Sequence, residues 1–256
     1  MTRADTQAHF DQSAAGYYDR NYTSPKSRHE RALALRREIC IDLLSDTGDR
    51  VLDLGCGPGA LAVPLAQQGR SVVAFDLAPA MVTEARRLIG LTNPRCSFVV
   101  GDATALPFST ATFDTVVTTG VLEYVDDVDR AISEIVRVLR PGGYLVATAS
   151  LPRRLERVVA RYAGRFILAL KHRKPDSPAM FHRAFTAFEF DRLLSTVGLS
   201  VEERRFSCFA PFPLDALYPP AVTAIDHVLG SWLAQVQLAT THAKTYIVKA
   251  RRTSDA

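Results

Sequence analysis

The amino-acid sequence predicts a doubly wound α/β fold on a mostly parallel, seven-stranded sheet. Two observations carry this prediction. Between residues 50 and 150, short apolar runs alternate with longer segments of helical periodicity, and a glycine-rich loop follows the first run. Strands are predicted at residues 50–54, 71–76, 96–101, 113–118, 143–149, 200–207 and 243–251. The first five are apolar on both faces, which is typical of strands inside a parallel sheet.

Helices are predicted between these strands and on either side of them. They cover residues 28–44, 60–68, 79–89, 128–139, 155–170 and 187–197. Pro79 is expected at an early helical position, and residues 140–143 (Arg-Pro-Gly-Gly) are expected to end a helix and form a turn. Residues 208–242 are predicted to form a helical cap.

Composition indicates one globular domain with a sizeable core. Of 256 residues, 47% are hydrophobic and 23% are charged, which excludes a disordered chain. The first residues are polar, and no apolar run approaches the roughly 20 residues that span a bilayer. We therefore expect a cytoplasmic protein. The four cysteines are scattered without zinc-ligand spacing, so we expect reduced thiols and no metal site.

The most informative segment is a glycine loop after the first predicted strand. Gly55, Gly57 and Gly59 alternate with other residues, and glycine lets the backbone approach a ligand closely. Such a loop also fits a nicotinamide or flavin dinucleotide site, or a tight structural turn. Asp53 precedes it by two residues. This carboxylate would repel a pyrophosphate and attract the ammonium of a methionine moiety.

A second acid, Asp76, ends the next predicted strand. A carboxylate at this place can accept both ribose hydroxyls of an adenosine group. The alternative is that Asp76 only caps the helix that follows. Asp53 and Asp76 together favour a cofactor that joins a nucleoside to a cationic end.

Further motifs follow in order along the chain. They are Gly-Asp-Ala-Thr-Ala-Leu-Pro-Phe at residues 101–108, Phe-Asp at 113–114, Val-Leu-Glu-Tyr-Val at 121–125 and Leu-Arg-Pro-Gly-Gly-Tyr-Leu at 139–145. With the glycine loop and Asp76, they make residues 37–151 resemble the class I S-adenosylmethionine-dependent methyltransferases, in particular the small-molecule branch called type 11. The resemblance implies an enzyme that transfers the methyl group of S-adenosylmethionine to a small molecule.

The resemblance also implies which residues hold this cofactor. They are Asp53, Gly55, Cys56, Gly57 and Gly59 at the methionine part, Asp76 at the ribose, Leu77, Met81, Asp102 and Ala103 at the adenine, and Thr119, Gly120 and Leu122 beneath it. An N-terminal tyrosine would close over the cofactor, and Tyr18 is favoured. The alternative is that the N-terminal aromatic residues only pack on the domain. Cys56 adjoins no basic residue and is not expected to be a nucleophile.

On this basis one domain is divided into four parts. Residues 1–36 are the lid, 37–150 the cofactor-binding core and 151–183 a basic helical insertion, while 184–256 complete the sheet and carry the cap.

Methyl transfer requires alignment and exclusion of water more than a catalytic triad. If the acceptor is a hydroxyl or an acidic carbon, a general base helps. His182 is the first candidate because it lies where the variable substrate region begins, and Glu123 and Tyr124 are next. For each histidine, a packing or surface role is the alternative. The strand end at residues 118–121 reads Thr-Thr-Gly-Val and lacks the Asn-Pro-Pro-Tyr type of motif, which favours a small-molecule acceptor.

Residues 151–183 carry nine lysines and arginines against two acids. The predicted basic helix at residues 154–170 either docks on an anionic membrane surface or packs its apolar stripe on the core. Together with the bulky apolar side chains of the cap, this helix favours a lipid-like acceptor, and no nucleic-acid partner is expected.

Three other functions stay open. They are an RNA-modifying methyltransferase that uses residues 151–183, a catalytically inert S-adenosylmethionine-binding module, and a nicotinamide-dependent oxidoreductase. Steep salt dependence of binding would identify the first, and cofactor titration would identify the third.

Overall fold

The computed structural model describes residues 2–23, 27–89, 95–152, 183–207 and 243–253. Their strands are β1 (Arg50–Leu54), β2 (Ser71–Asp76), β3 (Cys96–Val100), β4 (Phe113–Thr118), β5 (Leu139–Ser150), β6 (Leu199–Ser207) and β7 (Thr245–Arg252). They form one seven-stranded sheet in the order β3-β2-β1-β4-β5-β7-β6. β1 to β5 are parallel, and β7 runs antiparallel to β5 and β6. The predicted fold class is confirmed.

Helices pack on both faces of this sheet. They are α1 (Arg3–Ser13), α2 (Arg28–Leu43), α3 (Ala62–Gln67), α4 (Pro79–Ile89), α5 (Val128–Val138) and α6 (Ala187–Thr196), with a π-helix at Asp19–Thr23. Thr2, Ser27 and Thr186 each accept a hydrogen bond in a capping box. These boxes satisfy the first free N–H groups and so fix where α1, α2 and α6 begin.

The core has two layers because successive residues of a strand point to opposite faces. Leu52 and Leu54 of β1 pack in a cluster that includes Ile132 of α5 and Phe190 of α6. Val51, the residue before Leu52, points to the other face of the sheet. It packs there in a second cluster with residues of α2 and α3. The sheet is therefore buried on both sides, as its apolar strands predicted.

Most predicted boundaries in the core lie within two residues of the observed ones. β5 is the exception, since it begins at Leu139. Residues 140–143, predicted as a turn, form an irregular part of this strand, where the pairing with β4 shifts register between Phe113 and Thr115. α1 was not predicted because its sequence is polar and Thr6 is its only buried residue.

Two predicted segments lie outside the described residues: the basic helix at 154–170 with nearly all of the insertion, and the cap at 208–242. Among the helices that the structure describes, none has the length and apolar character needed to cross a membrane.

The strand order reverses between β1 and β4, which are neighbours in the sheet. The chain continues from β1 to one side of the sheet and from β4 to the other. In such sheets the connections diverge at this point and leave a crevice at the carboxyl ends of the strands, where ligands bind.

Candidate active site

A cavity of about 920 Å³ lies at these strand ends. Its lining includes Gly55, Gly57 and Asp76 from the core, Phe10, Tyr17, Tyr22 and Arg36 from the N-terminal part, and Glu123, Tyr124 and Ser150 from the ends of β4 and β5. The position matches the crevice that the topology predicts. The cavity therefore joins the glycine loop to most of the other predicted site residues.

The glycine loop has the conformation that requires glycine. Gly55 and Gly57 have φ angles of 73° and 50°, where residues with a Cβ are strained. A Cβ on Gly55 would lie 2.0 Å from Cγ2 of Val121, so Gly55 is needed for packing. A Cβ on Gly57 would meet no protein atom within 4 Å. Because Gly57 lines the cavity, bare backbone is presented there to a ligand.

Asp76 is hydrogen-bonded to backbone on two sides. Its Oδ2 accepts from the N–H of Gly57 at 2.8 Å, and its Oδ1 accepts from the N–H of Ala78 at 2.9 Å. The bond to Ala78 lies at the start of α4, so the alternative capping role is also present. Each carboxylate oxygen has a second lone pair. Asp76 lines the cavity and thus retains the capacity to accept from hydroxyl groups.

Asp53 is a buried acid in β1, two residues before the glycine loop, with 2% of its surface exposed. Its Oδ2 accepts a hydrogen bond from the N–H of Ala62 at 3.0 Å. Burial raises the pKa of Asp53 to about 7, the bond from Ala62 opposes this rise, and the charge of Asp76 adds to it. A cationic group bound nearby would favour the charged carboxylate.

The predicted adenine side is formed by Leu77, Met81, Asp102 and Ala103, all in the cavity lining. Asp102 accepts from the N–H of Thr104 at 2.9 Å and forms an ion pair with Arg3 of α1 at 2.9 Å. α1 thus reaches across this end of the cavity. Asp11, also in α1, accepts a hydrogen bond from the N–H of Ala80 at 2.9 Å and so caps α4.

Glu123 also lines the cavity and is 3% exposed. Its Oε1 accepts from the hydroxyl of Ser150 at 2.9 Å. Its Oε2 has no hydrogen-bond partner among the described residues. Burial raises the pKa of Glu123, and the positive charge of Arg36 opposes that rise. The neighbouring Tyr124 ring packs edge-to-face on Phe10 of α1, with 5.3 Å between ring centroids.

The N-terminal tyrosines differ in their relation to the cavity. Tyr17 and Tyr22 line the cavity, whereas Tyr18 does not. Tyr18 packs against Tyr22, with ring centroids 5.5 Å apart, and its hydroxyl accepts from Arg37 at 3.5 Å. Burial raises the pKa of Tyr17, so its phenol is neutral. The cavity lining thus includes the neighbour of the predicted lid residue, while the lid role of Tyr18 stays a prediction.

The other predicted residues divide into three groups. Cys56, Thr119 and Gly120 line the cavity, and burial raises the pKa of the Cys56 thiol well above its usual value. Gly59 and Leu122 lie outside the lining: a Cβ on Gly59 would lie 3.2 Å from that of Ala85, and Leu122 is fully buried. His182 lies outside the described residues. Sequence reasoning missed Arg36 and Ser150, whose positions no local motif marks.

The donor set fits an adenosyl group that carries an amino-acid tail. The cavity combines open space beside Gly57 with an acid at the end of β2 and a buried acid near the end of β1, and each would suit one part of such a molecule. The topology and this site define the class I methyltransferase architecture.

Comparison with known proteins agrees with this class. Residues 52–147 match a family model described as a methyltransferase domain. This segment is therefore a methyltransferase domain of the S-adenosylmethionine-dependent type, as the sequence motifs predicted.

Two curated relatives share this segment. A demethylmenaquinone methyltransferase from Beutenbergia cavernae is 42% identical over 113 residues, which cover 44% of this chain and 45% of the relative. A malonyl-[acyl-carrier protein] O-methyltransferase from Enterobacter lignolyticus is 38% identical over 99 residues, which cover 39% of this chain and 38% of the relative. The chain spans less than half the length of either relative in these matches.

A solved structure shares the whole fold. The magnesium protoporphyrin IX methyltransferase of Synechocystis, crystallised with bound SAH, superimposes with a TM-score of 0.66 over 98% of this chain and 100% of that chain. The two sequences are 18% identical, so this likeness extends the fold beyond residues 52–147 without indicating the acceptor.

Proposed function

We propose that the protein transfers the methyl group of S-adenosylmethionine to a small, hydrophobic acceptor. One observation carries the proposal: a single cavity joins the glycine loop and Asp76 to Glu123, whose Oε2 has no hydrogen-bond partner among the described residues. Small-molecule sites have volumes of roughly 300–1,000 Å³. A cavity of about 920 Å³ is thus large enough for an acceptor beside the cofactor.

When bound, S-adenosylmethionine supplies an electrophilic methyl group on a positively charged sulfur. The chain contributes binding and alignment, which can account for roughly 7–11 kcal/mol of a two-reactant barrier. Asp76 would accept hydrogen bonds from the ribose, Asp53 would attract the ammonium, and the backbone at Gly57 would allow close approach. Phe10 and Tyr17 in the cavity lining would keep water from the reacting atoms.

Glu123 is our candidate proton acceptor for an acceptor molecule that ionises. Its Oε2 retains its hydrogen-bonding capacity, and Ser150 fixes the other oxygen. Burial raises the pKa of this carboxyl above its ordinary value, which makes the carboxylate a stronger base than an exposed one. Tyr124 is the second candidate at this position, and His182 stays a prediction.

The acceptor side of the cavity favours a hydrophobic molecule. Leu33, Val125, Leu151 and Ala184 contribute apolar side chains to the cavity lining. A prenylated quinone such as the demethylmenaquinone named for one relative would bury its apolar part on these side chains. Its hydroxyl groups in the reduced form would meet Glu123.

The test combines calorimetry and isotope transfer. We expect saturable binding of S-adenosylmethionine, and transfer of a deuterated methyl group to reduced demethylmenaquinone or to another hydrophobic component of a cell extract, detected by mass spectrometry. Binding without any labelled product would indicate an inert binding module. Saturable NAD binding with no affinity for S-adenosylmethionine would indicate an oxidoreductase instead.

The RNA-modifying alternative requires a separate control. Labelled product is measured with total RNA and with lipid extract at two salt concentrations. Label confined to RNA, with affinity that falls steeply with salt, would overturn the small-molecule acceptor while retaining methyl transfer.

A further inference from the structure

Arg36 places a positive charge in the wall of the cavity. It belongs to α2, lines the cavity and is partly buried. Its guanidinium packs on the backbone of Gly120, where a Cβ would lie 2.9 Å from Nη1 and 3.2 Å from Nη2. Nothing in the sequence motifs assigned a function to this residue.

This guanidinium has no direct acidic partner within the described parts of the chain. Tyr22 and Glu123 both act on it electrostatically, and no ion pair within 4 Å joins it to an acid among the described residues. A guanidinium away from bulk water is stabilised most by a bidentate pair with a carboxylate or phosphate. The wall of the cavity therefore offers a site for an anionic group.

The position of Arg36 identifies the part of the ligand that would supply the anion. The guanidinium lies on Gly120, and the next residue, Val121, packs directly on Gly55 of the glycine loop. Arg36 and Asp53 also act electrostatically on the same buried thiol, that of Cys40. A cation and an anion thus both lie near the start of the glycine loop.

We infer that Arg36 binds the carboxylate of the amino-acid tail of S-adenosylmethionine, while Asp53 attracts the ammonium of the same tail. This inference rests on the proposed function and adds a residue from outside residues 52–147. Tyr22 also lines the cavity and acts electrostatically on Arg36. The π-helix that contains Tyr22 packs on α2, and such helices are frequent at functional sites.

The test compares S-adenosylmethionine with its decarboxylated analogue, which keeps the sulfonium, the ammonium and the adenosyl group. Calorimetry is performed on the wild-type protein, on Arg36→Met and on Arg36→Lys. We expect the wild type to prefer S-adenosylmethionine by ~10–100-fold, as for a charge-assisted bidentate pair. Arg36→Met should lose this preference by weakening only S-adenosylmethionine, and Arg36→Lys should be intermediate.

Arg37→Met is the matched control. Arg37 is the next residue of α2 and lies outside the cavity lining, with its guanidinium near Tyr18 and 5.6 Å from the centre of the Tyr22 ring. Both ligands should bind this variant as they bind the wild type. Circular dichroism of each variant establishes that it is folded.

Several outcomes would overturn the inference. An equal affinity of the wild type for the two ligands, or an unchanged preference in Arg36→Met and Arg36→Lys, would remove Arg36 from the carboxylate site. Unchanged cofactor binding with impaired methyl transfer would place Arg36 at the acceptor instead. Only the absence of S-adenosylmethionine binding to the wild type would overturn the proposed function as well.

Discussion

The carboxylate of Asp76 accepts a hydrogen bond from the backbone N–H of Gly57 at 2.8 Å, and this bond joins the end of β2 to the loop that follows β1. Two neighbouring strand ends are thereby held as one unit. The acid that would hold the ribose also fixes the glycine backbone that would accommodate the rest of the cofactor.

Asp76→Ala should lower the affinity for S-adenosylmethionine at least ~100-fold, because each hydrogen bond to a charged group contributes about 1.5–3 kcal/mol. Calorimetry measures the affinity. Asp114→Ala is the control, since the Asp114 carboxylate also accepts from a backbone N–H, that of Arg50 at 3.0 Å, but does not line the cavity. Equal affinities in both variants would contradict the assignment of Asp76.

Gly57→Val should abolish cofactor binding without unfolding the protein. The new side chain would enter space that no protein atom occupies within 4 Å. Gly69→Val is matched to it, because Gly69 also has a positive φ and open space around its Cβ, but lies outside the cavity. Both variants should lose similar stability in thermal unfolding, whereas only Gly57→Val should lose binding. Normal binding by Gly57→Val would place the ligand elsewhere.

The stability of the protein should fall as the pH rises through the range in which Asp53 titrates. Burial raises the pKa of Asp53 from 3.8 to about 7. The folded state then binds this proton more tightly than the unfolded state. The stabilisation that comes from the protonated carboxyl is therefore complete below about pH 4 and lost near pH 7. Asp53→Asn removes this dependence and preserves an acceptor for Ala62. The free energy of unfolding of Asp53→Asn minus that of the wild type should rise by at most roughly 4 kcal/mol between pH 4 and pH 7.

Urea unfolding at several pH values measures the Asp53 effect. A difference between Asp53→Asn and wild type that does not change between pH 4 and 8 would show that the carboxylate is charged in the folded protein throughout.

Glu123→Gln should reduce methyl transfer to an ionisable acceptor by ~10²–10⁴-fold, the usual contribution of a general base. Glutamine keeps an oxygen for Ser150, so the affinity for S-adenosylmethionine should stay within about threefold of wild type, or ~0.7 kcal/mol. Because burial raises the pKa of Glu123, activity of the wild type should fall on acidification at a pH above the ordinary carboxyl range. A pH-rate profile that keeps this fall in Glu123→Gln would assign it to another group.

Asp11→Ala should loosen the first turn of α4, because Asp11 caps the N–H of Ala80. Loss of such a cap typically costs about 1 kcal/mol. Hydrogen exchange at residues 80–82 should accelerate, and cofactor affinity should fall because Met81 lines the cavity. Arg3→Ala is the control, since the Arg3 side chain in its ion pair with Asp102 is 61% exposed and contributes little. Equal exchange in both variants would show that Asp11 does not hold α4.

The central part of the fold and the cofactor half of the site were predictable because their signals are local. β1, the glycine loop and the acid at the end of β2 follow one another within residues 50–76. Runs of β-branched residues indicate strands, and closely spaced glycines indicate a loop with positive φ angles. The acid at the end of β2 indicates a hydrogen-bond acceptor at that strand end.

The N-terminal half of the site was less accessible to sequence reasoning because it depends on packing. Tyr17 and Tyr18 are adjacent, and the conformation of the chain entering the π-helix decides which ring lines the cavity. The periodicity of α2 predicted a helix, but only its contact with Gly120 shows that Arg36 borders the cavity. Neither contact leaves a pattern in the neighbouring residues.

The cavity lining also includes residues from outside the methyltransferase domain segment, among them Ser150, Ala184, Lys244 and Thr245. The loop and the acids of the cofactor half come from inside it. A chimera that keeps residues 52–147 and takes its flanks from a relative would therefore retain the glycine loop, Asp53, Asp76 and Glu123, but it would need an arginine at position 36 to retain the inferred carboxylate site.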